Sequence, residues 1–262
     1  SLIIGTGAFQ GCSKLTYDLI LPEIQDIYQN DKIPDRAFSG CSGLQSIEYK
    51  DSIDTIGKYA FNGCSGVHGP LEIKPSVKRI EEYAFAGCTG FSGHLTINVD
   101  PSKGQTIIGS HAFDGCSGFK KGSLTFFIES DEEAQKVYPN NIQNQNQFPY
   151  FRYKYFLRIG AKAFDDTKFS NIYYNGRFQP DCDYDIGFSH TKGIHTSSNY
   201  LNKTFCNYPL HNSKLSGGAI AGITIAVIVV VAIIVILIIY FILRGKKNKD
   251  KSEDEVEMNA DP

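Results

Sequence analysis

Ile56-Gly57-Lys58-Tyr59-Ala60-Phe61-Asn62-Gly63-Cys64-Ser65-Gly66-Val67 decides the fold, because its middle returns along the chain. Ala60-Phe61-Asn62-Gly63-Cys64-Ser65 is matched by Ala8-Phe9-Gln10-Gly11-Cys12-Ser13, Ala37-Phe38-Ser39-Gly40-Cys41-Ser42, Ala84-Phe85-Ala86-Gly87-Cys88-Thr89 and Ala112-Phe113-Asp114-Gly115-Cys116-Ser117. All have the form A-F-x-G-C-[ST]. The Phe residues lie 29, 23, 24 and 28 apart, and Ala163-Phe164 follows after 51, about two further periods, without the Gly-Cys part. Five copies with this many fixed positions mark a repeat architecture.

The flanks repeat as well. An Ile precedes most blocks, as in Ile56-Gly57, Ile80-Glu81 and Ile108-Gly109, and a bulky apolar residue follows the Cys by three: Leu15, Leu44, Val67, Phe91, Phe119. Then comes a short alternating run, such as Leu71-Glu72-Ile73 or Leu95-Thr96-Ile97. Alternation over three to five residues predicts one short half-buried strand per unit. A unit this small cannot hide its apolar face alone. Parallel stacking at a strand spacing of about 4.8 Å lets neighbours cover each other in a continuous core. The expected fold is a leucine-rich-repeat solenoid of six or seven units, with turns and short helical segments opposite the strands.

The unit resembles the BspA-type (treponemal-type) leucine-rich repeat, found in surface proteins of bacteria and parasitic protists. The resemblance covers about residues 2–180 and rests on the wording A-F-x-G-C-[ST]-G-[LVF]. With a carboxyl-terminal apolar segment and a short tail, the chain is similar to the protist surface-antigen branch. That resemblance implies cell-surface adhesion and recognition of host or neighbouring-cell molecules.

Residues 1–183 are assigned to the solenoid and its carboxyl-terminal cap. Within them 129–158 lacks the motif and carries Asn140, Asn141 and Gln143–Gln147 before aromatic Phe148–Phe156. It reads either as a degenerate repeat with a polar loop or as an insertion without a binding role. Phe169–Gly176 resembles the family's last strand. The composition then shifts to Ser, Thr, Asn and Gly, and 184–217 reads as an extracellular stalk.

Leu215–Leu243 holds no charged residue, and its last 25 positions from Ala219 are almost entirely Ile, Val, Ala and Leu. As a helix those 25 would reach roughly 37 Å, against a hydrocarbon core of about 30 Å. A single transmembrane helix at 218–243 follows, with membrane lipid as its partner and Tyr240 as an interfacial anchor. Arg244, Lys246, Lys247, Lys249 and Lys251 place the tail 244–262 in the cytoplasm and the repeats outside a plasma membrane. The chain opens at Ser1 inside a repeat and its one Met is Met258, so residues before Ser1 are expected and a signal peptide is left open.

Chemistry finds little support. There are 26 Lys and Arg against 28 Asp and Glu. The tail removes five basic and six acidic residues, leaving 21 against 22, and nucleic acid needs a basic face. Cys12, Cys41, Cys64, Cys88 and Cys116 occupy equivalent positions. Stacking would hold their side chains parallel, which suits disulfides poorly, so buried thiols are favoured over bridges. A fivefold nucleophile in a core makes no mechanistic sense, which argues against an enzyme. Cys182 and Cys206 follow the repeats and are expected to pair and close the cap. No C-x-x-C occurs, and His68, His94, His111, His190, His195 and His211 do not recur at ligand spacing, so neither metal nor cofactor is expected. Asn202-Lys203-Thr204 is a glycosylation sequon on the expected outer side.

The predicted repeat core is Phe9, Cys12, Phe38, Cys41, Phe61, Cys64, Phe85, Cys88, Phe113, Cys116 and Phe164. The functional reading is an adhesin or recognition protein that binds an extracellular protein or cell-surface ligand across exposed strand positions such as Glu48, Glu72 and Thr96. A signalling receptor with a tail-recruited partner, and a passive variable coat antigen, stand as alternatives.

Overall fold

The Ile before each block and the alternating run after it both become strands, so most units supply two. A computed structural model of the chain describes residues 2–25, 31–129, 156–188 and 191–211. A first sheet of six parallel strands runs in chain order through Lys32–Ile33, Thr55–Ile56, Arg79–Ile80, Thr106–Ile108, Leu157–Ile159 and Asp181–Cys182. A second, of five parallel strands, runs through Gly69–Ile73, Phe91–Val99, Ser123–Ile128, Asn171–Tyr174 and Gly193–Thr196. Asp18–Ile20 and Ser46–Glu48 form a separate parallel pair from the first two units. The expected single strand per unit is thus corrected to two. A strand of two or three residues carries too little alternation to be read, and its inward Ile is its whole signal. Helical structure among the described residues is limited to the 3-10 turns Pro101–Lys103 and Ser117–Lys121.

The core is filled from both sheets. Ile33, Ile56, Ile80, Ile108 and Ile159 of the first, and Leu95, Ile97, Leu124, Phe126 and Ile172 of the second, are fully buried. Along the stack runs the Phe column. Phe9, Phe38, Phe61, Phe85, Phe113 and Phe164 lie near-parallel with successive centroids 5.2–5.5 Å apart. A shorter column joins Phe91, Phe119 and Phe169.

The blocks themselves form a third ladder, although they are turns. Phe38 N–H donates to the Ala60 carbonyl, Phe61 to Ala84 and Phe85 to Ala112, each at 2.8 Å. The block Gly does the same two positions on: Gly40 to Asn62, Gly63 to Ala86 and Gly87 to Asp114. The Cys supplies one more link in the opposite direction. Cys41 Sγ donates to the Phe9 carbonyl, Cys64 to Phe38, Cys88 to Phe61 and Cys116 to Phe85, at 3.0–3.1 Å. Small size fits the thiol to the core, and its weak S–H donor gives it a partner there. Glycine is required by space at the position after Cys-Ser. A Cβ on Gly66 would collide with the Ser42 and Leu44 carbonyl oxygens of the unit before.

Three expectations need correction. Phe9 is 38% exposed and Cys12 is exposed, since each meets a described unit on one side only. The 51-residue interval puts no further unit between the Phe113 and Phe164 turns. Thr106 pairs with Leu157, Ile108 with Ile159, and Ser123 with Asn171, so these two turns are immediate neighbours in the stack. Finally, the solenoid does not end at 183. Gly193–Thr196 pairs with Asn171–Tyr174 in register, so Phe169–Gly176 does not carry the last strand. Ile186, Phe188, Ile194, Tyr200 and Phe205 are buried beyond it, where a stalk was expected from 184. These apolar residues are too thinly spaced among polar ones to show as a strand pattern, yet each finds cover under the last repeat. The expected membrane helix 218–243, the tail 244–262, stalk residues 212–217 and the segment 130–155 lie outside the described residues. Among the described residues no helix is long and apolar enough to cross a membrane.

Two outcomes follow from this packing. Phe85→Ala, at a fully buried ring, should cost about 3–5 kcal/mol in urea unfolding, whereas Phe9→Ala, at a ring 38% exposed, should cost less. Burial pushes the Cys41, Cys64 and Cys88 thiols up from their ordinary pKa, for Cys64 with neighbouring thiols adding to it. These groups therefore remain protonated at pH 8; with Cys116 buried as well, thiolate reagents should label Cys12 alone in the native protein. All five free cysteines should react after denaturation without reductant.

Candidate binding surface

Alternation along the second sheet separates two sets of side chains. Leu71, Ile73, Leu95, Ile97, Leu124, Phe126, Ile172 and Ile194 turn inward and are buried. The residues between them, Glu72, Thr96, Thr125, Tyr173 and His195, pair in register across all five strands. They are exposed or half-buried. Five parallel strands at about 4.8 Å spacing carry this row over roughly 19 Å. Glu48 holds the equivalent place in the preceding unit and is exposed, as is Ile20 in the first.

The row changes character along the stack. Its early part is acidic through Glu48 and Glu72, its middle is hydroxylic through Thr96 and Thr125, and its far part is aromatic and imidazole. Tyr173 and His195 stack at 5.1 Å, and His211 meets His195 edge-on at 6.2 Å. His195 Nε2 lies 3.3 Å from Asn171 Oδ1. Beside the row, Asn98 Nδ2 donates to Glu72 Oε1 at 2.9 Å and to the Ile73 carbonyl, fixing one acidic carboxylate across two strands. Asn175 does similar work further along, accepting from Ile128 N–H and donating to its carbonyl. The outward side chains are thus held on a rigid frame and present an extended face.

A second feature lay in the sequence without being read as a contact. The position before four consecutive Ala-Phe pairs holds Arg36, Tyr59, Tyr83 and His111, and the structure stacks them. The Arg36 guanidinium lies 4.9 Å over the Tyr59 ring, Tyr59 and Tyr83 are parallel at 4.9 Å, and Tyr83 and His111 at 4.6 Å. His111 Nδ1 is also 2.8 Å from Asp114 Oδ2. Each of the four has φ between 57° and 58°, the left-handed region that bulky residues rarely occupy. The signal in the sequence is their planarity and their equivalent place before Ala-Phe.

Of the remaining predicted residues, Phe38, Phe61, Phe85, Phe113, Phe164, Cys41, Cys64, Cys88 and Cys116 sit in the core with at most 1% exposure. Cys182 is bonded to Cys206 with Cα atoms 5.5 Å apart. Cys182 ends the first sheet. Cys206 and Asn207 form the two-residue loop of an antiparallel hairpin, Thr204–Phe205 with Tyr208–Pro209, and both have positive φ as such a loop requires. Phe205 from this hairpin packs on Tyr174 and Phe126 and closes the core at that end. Asn202 is exposed just before the hairpin. His190 lies outside the described residues. Among the described residues no group of three or more His, Cys, Asp or Glu could hold a metal ion.

The family comparison agrees with this architecture. The family model of the BspA type leucine rich repeat region (6 copies) matches residues 2–125 and 69–183. A crystal structure of a leucine-rich repeat protein from Bacteroides ovatus is similar at 21% identity and a TM-score of 0.36, over 78% of this chain and 56% of that one. This chain therefore spans little more than half the length of that protein. No curated protein matches. Leucine-rich repeats generally mediate protein binding. With its repeats matched from residue 2 to residue 183, the chain belongs to the BspA-type leucine-rich-repeat family.

Proposed function

We propose that the chain is a cell-surface adhesion or recognition protein that holds an extracellular protein or other cell-surface macromolecule against the outward face of its second sheet. The observation that carries this reading is the in-register row Glu72, Thr96, Thr125, Tyr173 and His195, ordered on a rigid frame and long enough to meet a macromolecule. Solenoids recognise partners through such faces, and the aromatic end at Tyr173 supplies the residue type that anchors interfaces.

Surface display is supported by two further features. The uncharged stretch Leu215–Leu243, followed by five basic residues, has the composition of a single span in lipid with a cytoplasmic tail. The Cys182–Cys206 disulfide suits an oxidising exterior. The function is one of binding without catalysis or cofactor: the buried repeat thiols donate to carbonyls and, where burial raises their pKa, are held protonated.

The test is display of the full chain on a heterologous cell, with attachment measured to host cells and immobilised matrix proteins. Thr96→Lys with Thr125→Lys and Tyr173→Ala should reduce attachment about tenfold or more, the scale of a lost interface anchor. Arg79→Ala on the first sheet should leave it unchanged. Attachment no greater than that of a repeat-free control, or indifferent to the triple substitution, would overturn the proposal.

A further inference from the structure

The hairpin end of the solenoid carries a feature that binding through the sheet face does not use. Asn202-Lys203-Thr204 is the one N-x-[ST] triplet in the sequence. The structure places Asn202 and Lys203 at the surface and Thr204 half-buried at the start of the hairpin. The segment is anchored on both sides. Buried Tyr200 donates its hydroxyl to the Thr204 carbonyl at 2.8 Å, and Phe205 is inside the core. Asn202 Nδ2, the atom a glycan would occupy, donates to Gln179 Oε1 at 3.0 Å in a surface contact.

Two independent observations accompany the triplet. Leu201 N–H donates to the Arg177 carbonyl at 3.1 Å, which brings the Leu201 backbone next to the Arg177–Phe178 peptide. The Leu201 and Phe178 side chains are 59% and 40% exposed, next to the sequon. Four residues after Asn202, Cys206 is joined to Cys182, a bond that belongs to the same oxidising secretory route in which N-glycans are added.

We infer that Asn202 is an N-glycosylation site whose first sugars lie over the Phe178–Leu201 patch. The donor is a lipid-diphosphate oligosaccharide. Its anomeric C1–O bond to the diphosphate breaks, a C1–N bond forms to Asn202 Nδ2, the lipid diphosphate leaves, and the amide gives up one proton to the transferase. Thr204 supplies the hydroxyl that the transferase reads. A bulky solubilising group at this place covers exposed apolar surface and leaves the Glu72–His195 row on the sheet open.

The inference rests on outward display only in so far as the native chain must enter the secretory route. The test therefore supplies that route. The full chain is expressed in eukaryotic cells behind a cleavable secretion signal and analysed before and after treatment with an N-glycosidase. The untreated wild type should migrate more slowly by one glycan's mass, and the treated chain should carry Asp in place of Asn202. Asn202→Gln and Thr204→Ala should each abolish the shift, while Thr204→Ser should retain it at least in part. A wild-type chain recovered with its Cys182–Cys206 bond but without a glycan overturns the inference. A shift that persists in Asn202→Gln does so equally. Neither result bears on attachment through the sheet, which is read separately by the Thr96, Thr125 and Tyr173 substitutions.

Discussion

The structure depends on one recurrent contact: the N–H groups of an Ala-Phe-x-Gly turn reaching the carbonyls of the next turn. Turns usually direct their backbone groups to water or to themselves. Here the left-handed conformation before Ala and the positive φ of the block Gly aim successive N–H groups along the stack. The Phe ring then has a fixed place over its neighbour, and Cys returns a thiol hydrogen bond to the Phe carbonyl one unit back. Two parallel sheets and the turn ladder therefore share one axis and one repeat distance. A polar backbone could not otherwise be buried this thoroughly in a fold with so little helix.

The division between fixed and free positions follows from the same contact. Phe rings meet Phe rings, Phe N–H groups meet Ala carbonyls and Cys thiols meet Phe carbonyls of the adjoining unit, so changing one leaves a neighbour mismatched. The outward residues of the second sheet meet solvent, and their identity changes from Glu to Thr to Tyr to His without altering the frame. Chemistry that distinguishes one ligand from another can vary along a surface whose shape is held constant.

How much of this could be read beforehand is decided by which contacts are written locally. The A-F-x-G-C blocks named the core, and Leu71-Glu72-Ile73 and its counterparts gave the second sheet with its two faces. The first sheet went unseen because Thr55–Ile56 offers one inward residue and no alternation. The stack of Arg36, Tyr59, Tyr83 and His111 was hidden for another reason: dissimilar side chains at equivalent places become a contact only once consecutive turns are known to adjoin. Beyond Asp183, single apolar residues such as Ile186, Phe188 and Phe205 gave no period, since they complete a surface made by others. The row now assigned to binding included Glu72 and Thr96 from the start; Tyr173 and His195 joined it only when strand register was fixed.

Ile108 and Ile159 are adjacent partners although 51 positions separate them, against 28 for Ile80 and Ile108. Closing a contact over nearly twice the sequence separation costs only about 0.6 kcal/mol more in chain entropy. The seam after Ile128 is thus a place where the gene can lengthen or shorten its product cheaply, provided the chain returns to the same edge. Diversity in such a protein can arise by trading whole connecting segments at one seam, independently of the slower exchange of single residues on the sheet.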